Sequence, residues 1–131
     1  MLADLAAASP DPALDQALKP YEATLKAIVA GGRTIVAGTD SPIVPYGLGL
    51  HVELEAYVHA GLTPFQALQT ATVNAAQALG VGDELGTIEP GKLADLTFLG
   101  GDPLLDIRNT RDVKRVMQGG RMFAVTDLVR R

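Results

Sequence analysis

The sequence predicts an α/β fold, with helices in its first two thirds and short β-segments after them. Apolar residues recur at helical spacing in several runs before about Gly80, and glycine closes each run. The run RTIVAG, residues 33–38, has no polar alternation, which is typical of a strand covered on both faces in a parallel sheet. From Leu85 the apolar pattern changes to that of strands. We therefore expect two domains, residues 1–82 and 83–131, that meet near the glycine-rich stretch GVGDELG.

Composition limits the size and the class of the protein. With 131 residues, 47% hydrophobic and 20% charged, the chain can bury a core. It is too short for a complete (β/α)8 barrel, which needs roughly 200 residues or more. The net charge of −4 argues against a nucleic-acid binder, and no apolar run approaches the roughly 18 residues of a membrane span. We expect neither nucleic acid nor membrane as a partner.

The cysteine count and the N-terminus bear on thiol chemistry and location. The sequence has no cysteine, which excludes disulfides and thiolate metal sites. Its first residues, MLADLAAASPDPALDQ, carry acidic side chains and lack the basic region of a signal peptide. We expect a cytoplasmic protein.

The first helix is predicted to begin near Pro20, which suits a first-turn position, after an Ala-rich stretch interrupted by Pro10 and Pro12. Gly31-Gly32 should end it. Its buried stripe would be Tyr21, Leu25, Ile28 and Val29.

Two further helical runs follow the RTIVAG segment. The first, LHVELEAYVHAG at residues 50–61, has apolar residues along one helical stripe and ends at Gly61. The second opens with Thr63 as N-cap, Pro64 in the first position and Gln66 completing a capping box, and Gly80 ends it. Thr72 and Asn74 can break it into two helices. The predicted buried residues are Leu50, Leu54, Tyr57 and Val58 in the first run, and Phe65, Leu68, Ala75, Ala76 and Leu79 in the second.

The C-terminal third is predicted to form short β-structure. LGTIEPGKLADLTFLGGDP reads as two β-segments around Pro90-Gly91, a pair that suits a type II turn. DVKRVMQGGRMFAV predicts a hairpin with Gly119-Gly120 as its two-residue connection. The basic run RNTRDVKR contains Asp112 and has no aromatic residues nearby, so it favours a solvated strand edge over a nucleic-acid site.

Asp40 is the main candidate for chemistry, because it follows directly on the predicted strand. In parallel α/β folds, active sites form where strands reach their carboxyl ends. A carboxylate there can bind a metal or take a proton from a metal-bound water. The alternative is a turn residue whose side chain caps its own backbone, as Asp before Ser-Pro often does.

Other polar residues are weaker candidates. His51 and His59 are eight residues apart on one predicted helix, roughly 12 Å along its axis, so they cannot share an ion. His59 is expected to be solvated, whereas His51 can face a pocket. A catalytic zinc site normally needs three protein ligands, so this chain cannot build one unaided. Ser41 has no evident partner base, and Asp95 and Asp102 are expected to make hydrogen bonds at turns.

The order of the motifs resembles a known family. AGTDSP, LHVELEAYVHAGLTPFQALQTATVNAAQALG, LGTIEPGKLADLTFLGGDPLLDI and VKRVMQGGRMF occur in the order found in the C-terminal part of the metal-dependent amidohydrolase superfamily. Within this superfamily, the motifs are most similar to those of imidazolonepropionase-like and Xaa-Pro-dipeptidase-like members. The resemblance covers about residues 21–123. GxIxPGKxADL, here residues 86–96, and AGLTPxxAL, here residues 60–68, are specific in combination.

The resemblance implies a C-terminal fragment of a (β/α)8 TIM-barrel hydrolase followed by part of a small β-sandwich. Residues 1–82 would be the last barrel units, and residues 83–131 half of the sandwich. Asp40 matches the aspartate that ends the eighth strand, which binds a divalent metal, zinc being the expected ion, and acts as general base. The remaining ligands would precede residue 1. No substrate-binding residue is assigned.

The function implied is hydrolysis of amide or cyclic amide C–N bonds in a small-molecule or dipeptide-like substrate, with the isolated chain expected to be inactive. The alternative is a non-catalytic truncated product, or a subunit that self-associates or complements another barrel portion through exposed strands. A third interpretation, an independently evolved small α+β binding domain, leaves the motif order unexplained.

Overall fold

A computed structural model describes residues 12–40 and 47–128. Within them, four helices precede a small sheet. None of the helices in these residues has both the length and the apolar character that crossing a bilayer requires. The elements are α1 (Pro12–Ala30), α2 (Gly49–His59), α3 (Pro64–Thr70), α4 (Val73–Ala78), β1 (Leu96–Leu99), a 3-10 helix (Ile107–Arg111), β2 (Val113–Gln118), β3 (Arg121–Ala124) and α5 (Val125–Leu128). The predicted change from helices to strands along the chain is confirmed.

Three of the helices end in the same glycine turn. Gly32, Gly61 and Gly80 have φ values of 68°, 101° and 73°, and they follow α1, α2 and α4 respectively. In each case the glycine N–H donates to a carbonyl three residues back, and the next N–H donates to a carbonyl five residues back. This is the Schellman motif, in which glycine adopts the left-handed backbone at little cost. The predicted helix ends are therefore confirmed.

The predicted start of α1 is wrong. The described helix begins at Pro12 and continues through Pro20, which lies inside it. A proline in the first turn removes no intrahelical hydrogen bond, so Pro12 is compatible with a helix start. Tyr21, placed on the predicted buried stripe, is 70% exposed, although it shares a helix face with Leu25 and Ile28. Leu25, Ile28 and Val29 are half-buried, so the stripe packs only along the C-terminal part of α1.

The predicted capping box and the predicted helix break are both confirmed. The Gln66 N–H donates to Thr63 Oγ1 at 3.2 Å, and the Thr63 N–H donates to Gln66 Oε1 at 2.9 Å. Between α3 and α4, Thr72 has non-helical angles, φ −124° and ψ −101°. Its hydroxyl donates to the Leu68 carbonyl at 2.9 Å. Side-chain hydrogen bonds of this kind compete with the helical pattern and separate the two helices.

Residues 33–40, which we call the Asp40 segment, form no β-strand, so the prediction of a strand over 33–38 is wrong for the described structure. Side-chain exposure alternates along its second half, with Ile35, Ala37 and Thr39 half-buried and Val36 at 41% exposed. The prediction assumed cover on both faces. Within the described residues one face packs on the helices, and no strand lies beside the segment to pair with its backbone.

The C-terminal hairpin forms as predicted. The sheet has the order β1-β2-β3, with both pairs antiparallel. Gly119 and Gly120 connect β2 to β3 with φ values of 54° and 80°. Two consecutive positive φ values match the turn twist that two-residue hairpins require, and glycine supplies them without steric cost.

Only one of the two β-segments predicted around Pro90-Gly91 is a strand. Residues 85–95 contain turns and bends but no strand, and β1 starts at Leu96. The Lys92 ammonium folds this run on itself by donating to the Gly82 carbonyl at 2.8 Å and to Thr87 Oγ1 at 2.5 Å. The turn itself is present, with Gly91 at φ 93° and a 3.3 Å hydrogen bond from the Lys92 N–H to the Glu89 carbonyl.

The core joins the helices to the 3-10 helix. Leu54, Ala67 and Ile107 are at most 5% exposed and form one cluster, which confirms the predicted burial of Leu54. Several predicted core residues lie outside it: Leu50 is 40%, Phe65 59% and Leu79 77% exposed. The buried face of α3 is the one that carries Ala67 and Thr70, and Phe65 lies about 200° around the helix from Ala67.

Candidate functional site

Asp40 lies at the end of the Asp40 segment, and its side chain is exposed. Its φ is 48°, and among the described residues it is the one non-glycine residue with a positive φ. Aspartate tolerates the left-handed region better than most residues, at a cost of about 1 kcal/mol. Strain of this kind clusters at functional sites and in turns. The geometry therefore fits both roles predicted for Asp40, a turn residue and a chemically active carboxylate.

The helices, rather than neighbouring strands, hold the backbone of the Asp40 segment. The Asn74 side-chain amide donates to the Ile35 carbonyl at 3.0 Å. Two residues after Ile35, the Ala37 N–H donates to the Thr70 carbonyl at 3.0 Å. These bonds to α3 and α4 place the segment on the helical layer. Asn74, which the sequence marks as a helix breaker, thus also anchors this segment.

A third bond comes from α2 and lies nearer to Asp40. The Gly38 N–H donates to Glu53 Oε1 at 2.9 Å, and the Tyr57 hydroxyl donates to the same oxygen at 2.5 Å. The other carboxylate oxygen, Glu53 Oε2, is buried, and no hydrogen-bond partner for it lies within residues 12–40 and 47–128. Burial, followed by the hydrogen bond and charge of Glu53, raises the pKa of Tyr57, so its hydroxyl stays protonated as a donor.

Little in the sequence predicts the Glu53–Tyr57 contact. Glu53 and Tyr57 are four residues apart, a spacing that brings side chains together on a helix, and that spacing is the one available signal. Gly38 is fifteen residues away along the chain, so its contact with Glu53 depends on the tertiary packing.

The two histidines are far from forming a metal site with each other. His51 Nδ1 lies 3.1 Å from Thr110 Oγ1 on the 3-10 helix, and Thr110 is buried. His59, as predicted, is largely exposed, and its Nδ1 lies 3.0 Å from Glu22 Oε1 on α1. His51 lines a cleft of about 670 Å³ between the helices and the C-terminal part, which agrees with the expectation that it can face a pocket. In the described part of the chain Asp40 does not line this cleft.

We expect His51 to make stability depend on pH. Burial, and then the positive charge of Arg111, lower the pKa of His51 below its ordinary value of 6.5, while Glu55 opposes them. The unfolded chain therefore binds more protons than the folded chain just below pH 6.5. It follows that the free energy of unfolding has its full His51 contribution above pH 6.5 and loses it as the pH falls. When urea unfolding is measured at pH 7.5 and at pH 5.5, the free energy of unfolding should fall less in His51→Gln than in wild type. An equal fall in both would contradict the lowered pKa of His51.

The residues present do not by themselves fit a complete metal centre. Across residues 12–40 and 47–128, no three histidine, aspartate or glutamate side chains converge as a metal would need. Neither histidine accompanies the carboxylate of Asp40, because His51 contacts Thr110 and His59 contacts Glu22. One carboxylate is fewer than the three protein ligands of a typical catalytic zinc site.

The remaining candidates have structural contacts. Asp95 Oδ1 accepts the Gly119 N–H at 2.6 Å, which ties the hairpin turn to the residue before β1. Asp102 Oδ1 accepts the Leu104 N–H at 2.8 Å. Both aspartates thus make the turn hydrogen bonds expected of them. Ser41 lies outside the described residues.

The basic run of the C-terminal part is largely neutralised by acidic neighbours. Arg108 pairs with Asp106 at 2.7 Å, and Lys114 with Asp112 at 2.6 Å. Arg111 forms a two-pronged pair with Glu55 of α2, at 2.5 and 2.9 Å. These pairs agree with the prediction of a solvated surface, and the last also joins the C-terminal part to α2.

Comparison with known proteins relates the whole arrangement to one family. The model of the amidohydrolase family matches residues 15–123. Ochratoxinase from Aspergillus niger is 36% identical over 114 residues, which cover 83% of this chain and 22% of that protein. Imidazolonepropionase from Symbiobacterium thermophilum is 39% identical over 83 residues, 61% of this chain and 19% of that protein. The chain thus spans about a fifth of the length of these relatives.

A solved structure supports the same relation at the level of the fold. A Xaa-Pro dipeptidase with bound methionine in its active site superposes with a TM-score of 0.73 at 33% identity, covering 79% of this chain and 25% of that chain. Such neighbours have the amidohydrolase fold, which belongs to the TIM-barrel class. The homologues are hydrolases that act on C–N bonds, and members of the family typically bind divalent metals. By the extent of these matches, the chain belongs to the amidohydrolase family.

Proposed function

We propose that this chain is the Asp40-bearing part of a metal-dependent amidohydrolase that hydrolyses amide or cyclic amide C–N bonds. The observation that carries the proposal is the position of Asp40. Its exposed carboxylate ends a segment that lies on the helical layer, inside the span that matches the family. The substrate class we propose is a small amide or dipeptide-like molecule.

Asp40 is proposed as the general base. Its carboxylate would accept a proton from the attacking water while the water oxygen bonds to the carbonyl carbon of the substrate. The same proton would pass to the leaving nitrogen when the C–N bond breaks. General base catalysis of this kind contributes about 10²- to 10⁴-fold to a rate. An exposed side chain at the end of a segment is accessible to both water and substrate.

Asp40 is also proposed as one ligand of a divalent metal, with zinc as the proposed ion. A catalytic zinc site typically has three protein ligands, so the others would come from parts of the enzyme beyond this chain. In this proposal residues 1–82 belong to the barrel, and residues 83–131 belong to the small β-sandwich. The cytoplasmic location stays a prediction.

The second candidate function is non-catalytic: a truncated product, or a subunit that completes its barrel with another polypeptide or a second copy. The observation that favours it is the open face of the Asp40 segment, where Val36 is 41% exposed and no described strand lies alongside. An extended segment with exposed apolar side chains and no neighbouring strand tends to pair with another chain. The isolated chain is then expected to associate.

Light scattering, metal analysis and an amidase screen of the purified chain test these proposals together. We expect a mass above the 13.7 kDa of one chain, no stoichiometric zinc, and no turnover by the chain alone. Adding the rest of the barrel should restore both metal binding and hydrolysis. A monomer at dilute and concentrated protein alike would contradict association, and tightly held zinc in that monomer would show that the ligands are complete.

A further inference from the structure

We infer that Glu53 is a positioning residue for Asp40, acting through the N–H of Gly38; this inference rests on the proposed function of Asp40. Glu53 Oε1 accepts that N–H at 2.9 Å, two residues before Asp40. An extended chain rises about 3.3 Å per residue, so the bond lies roughly 7 Å from the Asp40 backbone. Of the three hydrogen bonds described above, at Ile35, Ala37 and Gly38, it lies closest to Asp40 along the segment.

The carboxylate of Glu53 is itself held in place. The Tyr57 hydroxyl, one turn further along α2, donates to the same Oε1 at 2.5 Å. Both residues are half-buried, and the neighbouring Leu54 lies in the core. The orientation of the acceptor is therefore set by a packed helix, which makes it a fixed reference point for the Asp40 segment.

Stability alone does not explain this glutamate. Glu53 Oε2 is buried and has no hydrogen-bond partner among the described residues, and such an atom costs stability when it leaves water. Asp40 adds a second local cost, its left-handed backbone at φ 48°. Unfavourable features that occur close together are typical of functional sites, where they preserve a required geometry. The alternative is that Glu53 only anchors α2 to the segment.

The test separates the acceptor from the bulk of the side chain. Glu53→Gln keeps a carbonyl oxygen that can accept the Gly38 N–H, whereas Glu53→Met keeps the length and removes the oxygens. Glu55→Gln is the matched control, because Glu55 lies on the same helix and pairs instead with Arg111. All three substitutions favour a helix, so α2 should form in each.

Amide hydrogen exchange in this chain is the first measurement. We expect the Gly38 N–H to exchange about tenfold faster in Glu53→Met, and at nearly the wild-type rate in Glu53→Gln and Glu55→Gln. Unchanged exchange in Glu53→Met would overturn the inference, because the bond would then not hold the segment. This measurement needs no enzymatic activity.

Steady-state kinetics in the complete enzyme is the second measurement. Misplacing a catalytic group by about 1 Å can cost 10²-fold, so Glu53→Met should lower kcat by roughly ten- to a hundredfold while KM changes little. Glu53→Gln should restore most of kcat. A normal kcat in Glu53→Met, with Gly38 already exchanging faster, would leave a structural anchor only and overturn the inference. Absence of turnover in wild type would instead count against the proposed function, and hydrogen exchange would still decide the role of Glu53.

Discussion

Replacing Asp40 by asparagine is expected to lower kcat by about 10²- to 10⁴-fold in a complete enzyme that contains this chain. The amide cannot take a proton from water. Asparagine has nearly the same size as aspartate and also tolerates a φ of 48°, so the fold should be kept. The measurement is steady-state kinetics beside urea unfolding, with the free energy of unfolding expected within about 0.5 kcal/mol of wild type.

Two further variants make the Asp40 result specific. Asp40→Gly should lower kcat at least as much as Asp40→Asn, while the free energy of unfolding stays the same or rises, because glycine removes the left-handed strain. Asp112→Asn, at an exposed aspartate paired with Lys114, should turn over normally. Near-normal turnover by Asp40→Asn would exclude Asp40 as the general base and favour its role as a turn residue.

Replacing Gly86 by alanine is expected to lower the free energy of unfolding by about 2–5 kcal/mol. Gly86 has a φ of 94°, which costs an alanine about 1–2 kcal/mol. A Cβ there would also lie 2.7 Å from Ala76 Cβ and 3.0 Å from Val73 Cα, both on α4. Overpacking of this kind typically costs about 1–3 kcal/mol more. Urea unfolding of the purified variant measures the sum.

Gly91→Ala is the matched control for Gly86→Ala. Gly91 has nearly the same φ, 93°, but no atom lies within 4 Å of a Cβ built on it. The free energy of unfolding of Gly91→Ala should therefore fall only by the backbone cost of about 1–2 kcal/mol. Equal losses in the two variants would show that the turn after α4 yields to the extra methyl group, and that close packing is not why glycine occupies position 86.

Features set by neighbouring residues could be predicted from the sequence. The Thr63–Gln66 capping box and the glycine helix ends each depend on hydrogen bonds that reach at most five residues. The Gly119-Gly120 hairpin depends on two backbone angles. Such signals are local, so tertiary contacts need not be known to interpret them.

Features set by distant residues could not be predicted in the same way. The apolar run at 33–38 indicates a strand only if neighbouring strands are there to pair with it, and the described chain supplies helices instead. Phe65 and Leu79 have the right spacing for burial, but the elements packed on α3 and α4 cover other faces. The contact of Glu53 could not be predicted from local sequence, because its partner, Gly38, is fifteen residues away along the chain.

Helix α2 contacts the Asp40 segment and the C-terminal part at the same time. Glu53 bonds to the Gly38 N–H, while His51 and Glu55 contact Thr110 and Arg111. Eleven residues of helix extend about 16 Å and behave as one stiff rod. A lesion in the 3-10 helix that tilts this rod is therefore expected to displace Gly38 as well, although the two lie far apart along the chain.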